Sequence, residues 1–72
     1  MEEKQSNKQS IGAKIRSWRT KSKLTQEGLA RKADIPYTTL AKVESGVIRN
    51  PSIETVRKLA LGLEITIDEL IS

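Results

Sequence analysis

The stretch Ala33 to Gly46, ADIPYTTLAKVESG, sets three hydroxyl side chains, Tyr37, Thr38 and Thr39, directly after Pro36, with Lys42 one turn further on. Leu40 and Val43 supply the apolar spacing of a helix, so this polar display stands over residues that a core would bury. Hydroxyls and an amine can act as hydrogen-bonding groups or, when a base activates them, as nucleophiles. The chain gives the second use little support. Its 72 residues include no histidine and no cysteine, which removes the commonest general base at neutral pH, the strongest nucleophile and the usual transition-metal ligands. Only carboxylate, lysine and hydroxyl chemistry remain, so an enzyme is a poor expectation and no metal or other cofactor is expected.

The elements that position these residues follow from periodicity and capping. Residues 1–9 are Glu, Lys, Gln, Ser and Asn after the initial Met, a composition that predicts a flexible arm. Residues 10–72 form the expected domain. Ile11, Ile15 and Trp18 recur at i, i+4 and i+7 and predict a first amphipathic helix, with Lys14, Arg16, Arg19 and Lys21 on its other faces. Lys14 and Arg16 are expected to be solvated there. Leu24 plugs the core, and Thr25 is placed to cap a second helix with Leu29, Ala30 and Ala33 as its buried stripe. Asp34 stands at the turn, where a left-handed backbone is often needed, and Pro36 suits the start of a third helix that Gly46 ends. Ser52 is expected to cap a fourth helix with Ile53, Val56, Ala60 and Leu63 on its inner stripe and Leu61 off it. Thr66 and Glu69 have the spacing of a capping box and start a short fifth helix. The expected fold is all-α, five short helices, with no strong candidate strand.

A chain of this length is one small domain, close to the lower limit at which a single core suffices, and without cysteine no disulfide can assist it. No apolar run approaches the roughly 18 to 20 residues of a membrane span. The opening MEEKQSNKQS lacks the apolar stretch of a signal peptide. A cytoplasmic location is expected. The net charge of +4 is uneven: residues 1–23 carry seven basic groups (Lys4, Lys8, Lys14, Arg16, Arg19, Lys21, Lys23) against Glu2 and Glu3, whereas residues 51–72 carry Arg57 and Lys58 against Glu54, Glu64, Asp68 and Glu69. Such asymmetry suits a polyanion held on one part of the surface, although a solvated charged face is a common alternative.

Two short helices joined by a tight turn, with the small Ala30 between them and Leu29, Ala33, Ile35, Leu40 and Val43 inward, satisfy helix-turn-helix geometry. An ordinary helical bundle satisfies the same spacing. From Ile11 through Leu70, however, the chain closely resembles the lambda-repressor-like, Cro-type helix-turn-helix family, through I-G-x-x-I-R in the first helix, L-T-Q-E at the second, V-E-S-G at the end of the third and N-P-S-I-E-T-V at the fourth. The resemblance implies a compact five-helix DNA-binding domain whose third helix enters the major groove. It gives Tyr37, Thr38, Thr39 and Lys42 to base contacts, Gln26, Arg49 and Asn50 to the DNA backbone, and Arg19 and Glu44 to an ion pair between the first helix and the end of the third. Lysine can donate to guanine O6 or N7, and threonine can meet a thymine methyl. Gly28 departs from the family pattern, and Lys23, Asp34 and Glu64 stand where glycine is frequent at helix ends.

The function implied is a sequence-specific transcriptional regulator, a repressor or controller protein, bound to double-stranded DNA as a homodimer on a palindromic operator. Leu61, with Ile67, Leu70 or Ile71, offers apolar surface for the dimer. The alternative is an antitoxin or similar module that binds a partner polypeptide, such as a toxin, as well as DNA. A restriction-modification controller and a phage or mobile-element repressor share the same reading face.

Overall fold

The computed structural model describes residues 10–72, so the arm expected over residues 1–9 lies outside the described residues. Five helices follow in order: α1 (Ile11–Lys21), α2 (Gln26–Ala33), α3 (Tyr37–Ser45), α4 (Ile53–Leu63) and α5 (Ile67–Ile71). Among the described residues there is no strand.

Local chemistry sets most of the boundaries. The side chains of Ser10, Thr25, Ser52 and Thr66 each accept from the backbone N–H three residues on, satisfying one otherwise unpaired amide at the start of α1, α2, α4 and α5. Glu69 returns the bond to the Thr66 N–H at 2.9 Å and completes a reciprocal capping box. Pro36 precedes α3 without a side-chain cap; its φ is fixed at −65° and its carbonyl accepts from the Thr39 and Leu40 N–H groups at 3.1 and 3.2 Å. Gly46 ends α3 at φ 92°.

Lys23, Asp34 and Glu64 adopt left-handed backbone, with φ of 59°, 60° and 62°. For a residue with a Cβ this conformation costs about 1 to 2 kcal/mol, against the smaller entropic cost of glycine. Lys23→Gly is therefore expected to stabilise the fold by about 0.5 to 1 kcal/mol. In urea unfolding this appears as a higher midpoint with an unchanged slope; an unchanged or lower midpoint contradicts the strain.

The core is built from Ile15, Leu29, Leu40, Val43, Leu59 and Leu70, all enclosed, with Ala30, Ala33, Val56, Ala60 and Leu63 around them. The helices α1 and α3 pack together, as do α2 and α4, and α2 leans on α3. Two glycines permit the tightest approaches. A Cβ on Gly12 would lie 2.1 Å from the Val43 carbonyl oxygen, and one on Gly62 would lie 3.0 Å from the Ala33 Cβ. Backbone thus meets backbone between α1 and α3, which fixes α3 relative to the rest of the domain.

Three expectations need correction. Ile53, assigned to the inner stripe of α4, is 74% exposed, because as the first residue of the helix it projects beyond the neighbours that cover Val56 and Ala60. Leu70, offered as dimer surface, has no exposed area and belongs to the core, since α5 turns this residue inward and Ile71 outward. Lys14 is not merely solvated: its Nζ donates to the Ile71 and Ser72 carbonyls, each at 2.8 Å, tying α1 to the end of α5.

Candidate nucleic-acid interface

The turn between α2 and α3 is closed by backbone bonds. The Asp34 N–H donates to the Arg31 carbonyl at 3.2 Å and the Ile35 N–H to the Ala30 carbonyl at 3.0 Å, a pairing that the left-handed Asp34 makes available. Ala30 is buried at this junction. Beyond it α3 divides into two faces. Leu40 and Val43 point into the core, whereas Tyr37, Thr38 and Lys42 are exposed and Thr39 is half-buried. Among the described residues none of these four side chains makes a hydrogen bond or ion pair within the chain. Their hydrogen-bonding groups, and the positive charge of Lys42, are open to another molecule.

The start of α2 lies beside this face. Thr25 takes the N–H of Gly28 with its hydroxyl and that of Leu29 with its carbonyl. Among the described residues the backbone N–H groups of Gln26 and Glu27 have no such acceptor, the arrangement that favours an anion at a helix N-terminus. A shallow hollow of about 400 Å3 opens here between Thr25, Gln26, Glu27, Arg19 and Tyr37. The Gln26 side chain is half-buried, and its Nε2 donates to Glu44 Oε1 at 2.9 Å. That bond was not expected from the sequence, because the two residues are separated by the turn and most of α3.

Glu44 is the centre of a cluster. Arg19 Nε donates to its Oε2 at 2.8 Å and Arg19 Nη2 to its Oε1 at 3.1 Å, a two-pronged pair, while Arg19 Nη1 donates to the Leu24 carbonyl at 2.8 Å. Arg16 stands farther off, its Nε 3.9 Å from Oε1, with 62% of its side chain exposed. The pair joins α1, the loop before α2 and the last turn of α3.

Arg49 and Asn50 are both exposed in the loop after α3. They line a groove of about 730 Å3 against the start of α1, whose floor includes Gly12 and Val43. Their donors are suited to sugar-phosphate contacts. Of the apolar residues expected at a dimer surface, Leu61 and Ile71 face outward at 68% and 50% exposure, and Ile67 is half-buried. Among the described residues no helix is long and apolar enough to cross a membrane, and no cluster of acidic side chains could hold a metal ion.

Comparison with known proteins places this geometry. A family model described as helix-turn-helix matches residues 15–70. The control protein C.MunI from a Mycoplasma species is 36% identical over 63 residues, covering 86% of this chain and 84% of that protein. Among solved structures, the restriction-modification controller protein C.AhdI from Aeromonas hydrophila is similar at 36% identity with a TM-score of 0.79, over 85% of this chain and 91% of that one. The biofilm master regulator SinR of Bacillus subtilis, in complex with DNA, is similar at 27% identity with a TM-score of 0.81, over 86% of this chain and 98% of that one.

Proposed function

Because the chain belongs to the helix-turn-helix family, we propose that it is a sequence-specific DNA-binding transcriptional regulator that lays α3 in the major groove of double-stranded DNA and acts by occupancy, without chemistry. One observation carries this: Tyr37, Thr38, Thr39 and Lys42 display polar groups that have no partner among the described residues, on a helix whose other face is enclosed. Lys42 and Thr38 read base edges, with Tyr37 and Thr39 beside them. Gln26 and the free amides of α2 hold one phosphate, and Arg49 and Asn50 hold the backbone beyond α3. The likeness to the control protein C.MunI and to the restriction-modification controller protein C.AhdI favours a controller role over that of a phage or mobile-element repressor.

Fluorescence anisotropy with duplex DNA from upstream of the gene and with a scrambled duplex, at several salt concentrations, tests this. The upstream duplex is expected to bind at least about a thousandfold more tightly, and both affinities should fall with salt. Lys42→Ala should narrow that gap by roughly five- to a hundredfold, whereas Arg49→Ala should weaken both duplexes alike and reduce the salt slope by about one. Equal affinity for the two duplexes contradicts sequence reading, and a flat salt response contradicts phosphate contact.

A domain this small covers few bases, so it reads two half-sites about 34 Å apart as a two-fold dimer. Leu61 and Ile71, flanked by the half-buried Ile67, form the proposed dimer face, away from α3. Sedimentation should give a dimer mass for the parent chain and a monomer mass for Leu61→Glu; equal masses exclude this face. Co-purification of a stoichiometric second polypeptide would support the antitoxin role instead.

A further inference from the structure

Arg19 alone engages both oxygens of Glu44, through Nε and Nη2 at 2.8 and 3.1 Å. The third bond on this carboxylate, from Gln26 Nε2 at 2.9 Å, is therefore not needed to complete the ion pair. It has a different effect. An ionised carboxylate only accepts hydrogen bonds, so it faces the nitrogen of the Gln26 amide and never its oxygen. One bond thus fixes both the rotamer of Gln26 and the way its amide is turned.

We propose that Glu44 is a positioning residue for DNA-backbone recognition, acting through Gln26. It consumes one N–H of the Gln26 amide inside the folded protein and leaves the second for a phosphate, on the same first turn of α2 as the backbone amides of Gln26 and Glu27, which have no acceptor among the described residues. This rests on the DNA-binding role proposed above and adds a residue that touches no DNA itself. The carboxylate is suited to the task because its side chain is 1% exposed, where a charge-assisted bond is strong and water does not compete. A glutamine held in advance gives up no rotamer freedom on binding, and that freedom is worth roughly three- to tenfold in affinity. Because the Gln26 amide is neutral it displaces no counterion. Its contribution is therefore the same at every salt concentration, unlike that of an arginine or lysine.

A double-mutant cycle tests the proposal. In Glu44→Gln, a side chain that keeps its carbonyl on Arg19 turns its own NH2 toward Gln26, whose amide must then turn over or let go. With the upstream duplex, and with folding of every variant confirmed by circular dichroism, Gln26→Ala should weaken binding about tenfold, the loss of one bond to a charged group. Glu44→Gln should weaken it roughly three- to tenfold when Gln26 is present and less than about twofold when residue 26 is alanine, with the salt slope unchanged throughout. An equal loss in both backgrounds, or no loss from Gln26→Ala, overturns the proposal. A parent chain that binds no duplex refutes the DNA-binding role itself, a separate failure. If Glu44→Gln does not fold, the free parent chain decides: the Gln26 side-chain amide should show an NMR order parameter of about 0.8, and a value below about 0.6 overturns the positioning role.

Discussion

Arg19→Ala is expected to destabilise the domain by about 3 to 5 kcal/mol, a large part of the roughly 4 to 10 kcal/mol available to a chain of this length. The reason is what it leaves behind. The Glu44 side chain is 1% exposed, so its charge cannot turn to water when the guanidinium is removed. Gln26 still donates one bond, but Arg16 is 3.9 Å away and mostly solvated, too weak a partner to replace a two-pronged pair. The reverse deletion is milder. In Glu44→Ala the stranded group is Arg19, which is 17% exposed and keeps its bond to the Leu24 carbonyl, so the loss falls toward the lower end of the same range. Urea unfolding of the two variants measures both values. A loss below about 1 kcal/mol for Arg19→Ala would mark an exposed, weak pair and contradict the burial.

The second large effect is expected of Gly12→Ala, a change that helix propensity alone would favour by about 1 kcal/mol. The new Cβ would lie 2.1 Å from the Val43 carbonyl oxygen, 3.1 Å from its carbon and 3.2 Å from the Glu44 Cα. All three are backbone atoms of α3, so no side-chain rotation relieves the contact and α1 must move away from α3. Overpacking of this severity costs about 3 kcal/mol, the upper end of what inserted methyl groups usually cost. Thermal unfolding should fall by roughly 15 °C. Gly28→Ala is the control, because there the nearest atom is the Thr25 hydroxyl at 3.2 Å, and a much smaller change is expected. A melting temperature for Gly12→Ala equal to that of the parent contradicts the close packing of α1 on α3.

Local chemistry was legible in the residues themselves, whereas distant pairing was legible only where the family resemblance supplied it, as for Arg19 and Glu44. The caps at Thr25, Ser52 and Thr66 and the left-handed Asp34 depend on three or four neighbouring residues, which the sequence displays side by side. The stripe of Leu29, Ala33, Leu40 and Val43 likewise gave two helices and a turn, though their use as a nucleic-acid reader came only from the wider family resemblance. Periodicity failed where a helix ends. It put Ile53 on the inner stripe without showing that the first residue of α4 has nothing to pack against, and it could not tell which of Leu70 and Ile71 a five-residue helix turns inward. The bonds from Lys14 to the end of α5 and from Gln26 to Glu44 join residues far apart in the chain. No spacing rule connects them, so a lysine that ties two helices together had the look of a solvated one.

The central claim, that the outer face of α3 enters the major groove, is tested most directly by NMR titration of the labelled chain with its upstream duplex. The largest shifts are expected at Tyr37, Thr38, Thr39 and Lys42, with Gln26, Arg49 and Asn50 forming the flanks. Saturable binding that shifts α4 and α5 while leaving those four residues unmoved would contradict it.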